Sequence, residues 1–119
     1  MKKIPILICV DTDSPANEEA IWKAYRLVEW PVVPRQQEHV YPFILASDVD
    51  STVVVVRHLF ERNYLSLILE PFESLQLTAL LIPEKEHWIM STQKDPVSEE
   101  DALKRLVQIR EAREEYARG

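Results

Sequence analysis

"ICVDTDSPANEEAIWKAY", residues 8–25, decides how this chain is read, because it runs from an apolar stretch through two aspartates into a segment with the marks of a capped helix. The apolar stretch starts at Ile4, and Ile4–Val10 is nearly uninterrupted and rich in β-branched residues, the pattern of a strand covered on both faces. Ser14 then stands as a helix N-cap with Pro15 at the first helical position, and Glu18 and Glu19 fall in the first turns, where the helix dipole favours acid. Ala20, Ile21, Ala24, Leu27 and Val28 recur at three-and-four spacing, which predicts a helix to about Trp30, closed by Pro31.

Working outward, residues 31–39 ("PVVPRQQEH") carry two prolines and a polar tail and are expected to be a loop crossing the domain. "YPFILAS", residues 41–47, reads as a second strand, with Pro42 confined to its start. If the two strands are parallel with the helix as crossover, the unit is a right-handed βαβ and both strands end at one edge of the sheet. "STVVVVRHLFERN", residues 51–63, is ambiguous: four consecutive valines favour a strand, whereas Ser51 as cap and Val53, Val56 and Phe60 at helical spacing favour a helix, which is the preferred reading. Residues 64–71 and 75–82 are expected to pair as an antiparallel hairpin, and 87–91 is expected either to extend its last strand after a bulge near Pro83 or to pair separately. Ser98 as N-cap with Asp101 three residues on opens a final amphipathic helix, whose end, residues 112–119, is polar enough to fray. The expected fold is α/β (or α+β): a single domain over 1–119 with a mixed sheet of about four strands, order β-α-β-α-β-β-α, and a C-terminal amphipathic helix. With the valine run as strand, the order becomes β-α-β-β-β-β-α.

A chain of 119 residues is the size of one domain, burying roughly two-thirds of the surface its unfolded form exposes. Its net charge of −6 repels phosphate backbones, so nucleic acid is not an expected partner. The basic "MKK" start is followed by an apolar run that Pro5 interrupts and Asp11 ends, too short for a signal segment or a membrane span, so neither export nor a membrane partner is expected. Cys9 is the only cysteine, which excludes an internal disulfide; within "PILICV" it should be a buried, inert thiol, in keeping with a reducing cytoplasm. The single glycine, Gly119, removes Gly-rich phosphate loops and the G-x-S-x-G elbow together.

The candidate chemistry lies in two aspartate doublets. Asp11 and Asp13 follow the first strand, and Asp48 and Asp50, in "LASDVDST" at 45–52, follow the second. On neighbouring parallel strands the four carboxylates would form an oxygen-rich pocket suited to Mg²⁺ or Mn²⁺. Aspartate is equally the residue that ends strands and starts turns by accepting backbone N–H bonds, in which case no cofactor is implied. His39, His58 and His87 show no zinc-ligand spacing, and Arg35, Arg57, His58 and Arg62 read as a solvated face before they read as an anion patch.

The stretch "FILASDVDSTVVVVRHLFERNYLSLIL" resembles the strand, D-x-D, helix, strand segment of PIN-like and NYN-type ribonucleases, and the resemblance implies a metal-dependent hydrolase in which Asp48 and Asp50, with Asp11, bind Mg or Mn for phosphodiester cleavage. "VDTDSPANEEAIWKAYRLVEWP" resembles a segment near the C-terminus of UbiD-type decarboxylases, where a D-x-D turn leads into a tryptophan-bearing helix; that resemblance implies an accessory subunit. Trp22, Trp30 and Trp88 are candidate interface anchors, with Trp22 off the main helical stripe. The preferred expectation is a small cytoplasmic, non-enzymatic interaction or accessory protein, working with a protein partner or as a homo-oligomer, with the metal-dependent hydrolase and the UbiD-type accessory subunit as alternatives.

Overall fold

The segment expected to be the first helix is a strand. In a computed structural model, which describes residues 3–59 and 64–118, β1 spans Ile4–Asp11 and β2 spans Ile21–Trp30. They pair antiparallel from Ile4 opposite Trp30 to Asp11 opposite Lys23, so no crossover joins them. The helical spacing misled because apolar residues four apart satisfy a period of 2 as well as one of 3.6. Ala24 and Val28 lie on one face of β2 in one core, while Tyr25 lies on the other face in a second core, joined by the partly buried Leu27. A strand buried on both sides takes apolar residues at nearly every position. The cap signal at Ser14 and Pro15 is absorbed by the connecting loop, where the Asn17 side chain accepts the Glu19 N–H (2.9 Å) and the Asn17 carbonyl accepts the Ala20 N–H (3.1 Å).

The remaining elements are β3 (His39–Val40), β4 (Ser51–Leu59), β5 (Tyr64–Leu69), α1 (Ser74–Leu81), a 3₁₀ segment (Ile82–His87), β6 (Ile89–Thr92) and α2 (Glu99–Arg118). One sheet of six strands results, in the order β3-β4-β5-β1-β2-β6, with β1 parallel to β5 and the other neighbours antiparallel. The chain is thus a mixed α/β domain with a C-terminal helix, but the described residues form six strands rather than about four, and their order is not β-α-β-α-β-β-α.

Three further expectations are corrected. Residues 41–47 form no strand: Phe43 enters the core, Ile44 and Leu45 are exposed, and the N–H groups of Ile44 and Leu45 bond the Glu84 carboxylate instead of a neighbouring strand. The valine run is strand through Leu59, as β-branching favours; the rest of the expected helix, residues 60–63, lies outside the described residues. The second arm of the expected hairpin is α1, because Leu, Gln and Ala are good helix formers and Ser74, Leu77 and Leu81 fall at helical spacing on its buried face. Ser98 caps α2 as expected, its hydroxyl accepting the Asp101 N–H at 3.2 Å, and α2 is helical to Arg118 with its last eight residues exposed.

The sheet separates two cores. Ile6, Ile8 and Val10 of β1 pack with α1, Phe43, Phe72 and Trp88 on one face; Leu7 and Cys9 pack with α2 on the other. β1 is therefore buried on both faces, and Cys9 is buried as expected. Among the described residues, no helix is long and apolar enough to cross a membrane.

Candidate functional site

Alternation along β1 sends Cys9 to the α2 face, and Asp11, two positions on, falls in the same register. Neighbouring strands add Tyr25 from β2, Ser66 from β5 and Arg57 from β4, and α2 begins there with Glu99. Six residues from five separate stretches of the chain thus make one polar cluster on the α2 face. The Cys9 Sγ lies 3.5 Å from the Ser66 Oγ and donates to the Glu99 carboxylate at 3.9 Å, and Arg57 forms an ion pair with that carboxylate. The Tyr25 hydroxyl donates to the Val97 carbonyl at 3.3 Å, and the Val97 N–H donates to the Ser91 hydroxyl at 2.8 Å, which fixes the approach to α2.

The electrostatics follow from burial. Loss of water pushes the Cys9 thiol up to about 12; the Ser66 hydroxyl opposes this and the Glu99 charge adds to it, so the sulfur stays protonated at neutral pH. Burial likewise pushes the Tyr25 phenol up to about 12, helped by the nearby acids. It also raises the Asp11 carboxyl above its ordinary value, against the pull of Lys23 and Arg57. A thiol held neutral is no nucleophile, and Arg57 and Glu99 already satisfy one another. What faces solvent is a groove of about 460 Å³ running from the cluster past Tyr25 and Lys23 to Trp22 and bounded by Pro96–Glu99. Trp22 is 44% exposed at its rim.

The aspartate doublets are not brought together. β4 runs antiparallel to β5 and β5 parallel to β1, so the end of β1 and the start of β4 reach the same edge of the sheet, although not as the ends of two parallel strands joined by a helix. But β5 lies between them, and two strand spacings set them roughly 10 Å apart. Asp13 and Asp48 are exposed, and Asp50 pairs with the His39 Nδ1 at 2.8 Å. Among the described residues, no group of three His, Cys, Asp or Glu side chains stands in a metal-binding arrangement. The tryptophans separate as well: Trp22 is exposed, Trp30 is partly buried against the core, and Trp88 lies inside the core, 4% exposed.

Trp88 belongs to a second polar cluster that the sequence reading missed. Glu84, 1% exposed, accepts the Trp88 indole N–H at 2.7 Å, the Ile44 N–H at 3.0 Å and the Leu45 N–H at 3.0 Å. Burial pushes its carboxyl up, but these three bonds and the attraction of Arg26 prevail and hold it below the ordinary glutamate range. Phe43 stacks beside it, its ring centroid 5.6 Å from that of Trp88 and 5.5 Å from that of Phe72. The sequence signal was confined to "LLIPEKEHW", where Glu84 directly follows an apolar run and stands four residues before a tryptophan. The α2-face cluster had no such signal, since Cys9 and Glu99 are 90 residues apart.

No protein-family model matches the chain, and neither does any curated protein or solved structure. The two family resemblances also fail locally. Residues 51–59 form β4 where the ribonuclease pattern needs a helix, and the Asp11–Asp13 turn leads through a loop into a strand rather than into the tryptophan-bearing helix of the UbiD-type segment.

Proposed function

We propose that the protein is a non-enzymatic interaction or accessory protein, and that the groove beside Trp22 is where its protein partner binds. The observation that carries this reading is Trp22 itself: a large aromatic side chain, 44% exposed, on a strand at the rim of a groove of about 460 Å³. Tryptophan is the residue most often found carrying the energy of protein interfaces, and burying it against a partner removes a large apolar surface from water. Lys23 beside it supplies a charged contact at the groove wall. The neighbouring chemistry agrees, with Cys9 protonated and Arg57 already paired to Glu99, so the site offers a contact surface in place of an activated nucleophile. A reduced, buried Cys9 suits the cytoplasm as the site of action.

The test is capture from an extract of the native host by wild-type protein and by Trp22→Ala, with melting curves of both. The reading expects a partner bound by wild type and lost by the variant while the melting temperature stays within a degree or two, since Trp22 lies outside both cores. Equal capture by the two proteins, or a variant that loses stability instead of its partner, overturns it.

A further inference from the structure

β6 pairs with β2 only from Ile21 to Tyr25. Past that point the end of the 3₁₀ segment flanks β2, and α2 lies over it, leaving a cavity of about 210 Å³. Three guanidiniums, of Arg26, Arg110 and Arg113, and two carboxylates, of Glu29 and Glu86, line this cavity, and they do not pair off. Arg110 donates from Nη1 to the Glu29 carboxylate at 3.1 Å and from Nη2 to the Tyr64 hydroxyl at 3.0 Å, but its Nε is buried without an acceptor, which is rare in a folded protein. Arg26 donates to a neutral acceptor, the Pro42 carbonyl. The side chains of Glu86 and Arg113 have no hydrogen-bond or ion-pair partner among the described residues, not even one another across the cavity they share. Between the charges lies an apolar wall of Leu27, Leu106 and Ile109, and Ile109 is 41% exposed.

We propose that this cavity binds a small α-amino acid with an apolar side chain, its carboxylate on the arginines, its ammonium on Glu86 and the second oxygen of Glu29, and its side chain over Leu27, Leu106 and Ile109. A simple anion entering here meets two carboxylates, and a simple cation meets three guanidiniums, so either is opposed by like charge. A ligand that carries both charges gives each lining group an opposite. The guanidinium fork suits a carboxylate, a carboxylate suits an ammonium, and an apolar body removes the exposed isoleucine from water. Part of the site is fixed before any ligand arrives, because Arg110 is held by Glu29 and sits over the Tyr64 ring, 5.9 Å from its centroid. The volume falls below the range of about 300–1,000 Å³ typical of drug-sized ligands, which suits a single amino acid better than a peptide. Trp22 and Glu29 are seven positions apart on β2, roughly 23 Å along the strand, so the inference goes beyond the Trp22 reading and does not rest on it.

Isothermal titration calorimetry of the whole chain with L-leucine and L-valine tests this, each beside the two analogues that lack one of its charges: isocaproate and isoamylamine for leucine, isovalerate and isobutylamine for valine. Inorganic phosphate serves as the probe for a plain anion site. We expect saturable binding of at least one of the two amino acids, and binding about tenfold weaker or less by both of its analogues, since each gives up a hydrogen-bonded charge. Glu86→Gln and Arg113→Gln should each weaken the amino acid by about tenfold while their melting curves without ligand match wild type, because neither side chain has a partner in the fold. Absence of binding by both amino acids, an analogue or phosphate that binds as tightly as the amino acid, or undiminished binding in either variant overturns the proposal. If a variant fails to fold, the comparison of amino acid and analogues on wild type decides.

Discussion

Glu84 and Glu99 are both carboxylates presented to the sheet by helical segments, one on each face, and the protein treats them in opposite ways. Glu84 is sealed in the core and meets three N–H donors, two of them from a backbone segment that joins no strand. Glu99 sits half-buried at the mouth of a groove and shares its charge with Arg57. A buried charge is tolerable only where fixed donors replace its water, and the donors of residues 44 and 45 would themselves be orphaned without it. The lesson is that Glu84 organises the fold and Glu99 organises the surface, so losses at the two sites should differ in size and in kind.

The largest effect should come from Glu84→Ala. It strands three donors in a core, which costs about 3–5 kcal/mol, a large share of a domain's stability, and chemical denaturation should show the midpoint collapse. Glu84→Gln keeps one carbonyl acceptor and should fall between. A loss below about 1 kcal/mol in the alanine variant would mean that residues 41–47 are held by something else.

The next largest is pH dependence. The Glu84 carboxyl is held below its ordinary value of 4.5 in the folded state, so the stability it contributes is full above that ordinary value and disappears as pH falls through the lowered one. Asp11 works with the opposite sign: its carboxyl is raised on folding, so its charged form opposes folding at neutral pH and acid relieves that cost. Melts over the acid range should show wild type losing stability, Glu84→Gln losing less of it, and Asp11→Asn more stable than wild type at neutral pH. A Glu84→Gln curve parallel to wild type would refute the assignment.

The groove pair should matter little for folding. Arg57→Gln or Glu99→Gln should each cost under about 1 kcal/mol, because an ion pair open to water is screened. The readout that separates this cluster from the core one is Cys9. Its thiol, pushed up to about 12, should react slowly with a thiol reagent in the native protein, and faster in Glu99→Gln, where one of the charges that raise it is gone. Rapid labelling of wild type would mean that β1 opens on the α2 face.

The smallest expected effect is none. With Asp11 and Asp50 roughly 10 Å apart and Asp50 paired to His39, millimolar Mg²⁺ or Mn²⁺ should leave the melting curve unchanged, and Asp13→Asn should be mild. A Mn²⁺-dependent rise abolished by Asp48→Asn would restore the hydrolase alternative.

What could be read from the chain and what could not divides along physical lines. The both-faces burial of Ile4–Val10 was legible because a continuous apolar run has one economical placement, and the cap at Ser98 was legible because capping is a matter between near neighbours. The 21–30 strand was misread because Ala24 and Val28 fit either period and only the pairing with β1 distinguishes them. Residues 41–47 looked like a strand because their partner, Glu84, lies 39 residues beyond Leu45. Of the candidate site, Trp22 as an exposed aromatic was visible, though on a helix flank that turned out to be a strand. The joining of Cys9, Arg57 and Glu99 was not visible, since no local pattern encodes an encounter over 42 to 90 residues.

The position of β1 between β2 and β5 also bears on how the chain is made. β2 pairs with β1 as soon as both have emerged, but the other edge of β1 must wait for β5, whose last residue, Leu69, is 39 positions beyond Trp30, the last of β2. At 5–20 residues per second that is a delay of roughly 2–8 s, during which the most apolar strand of the molecule is a hairpin arm with one bare edge and two uncovered faces. A ribosome-bound nascent chain stalled in that interval should be the most aggregation-prone form of this protein, and the one with the strongest hold on chaperones.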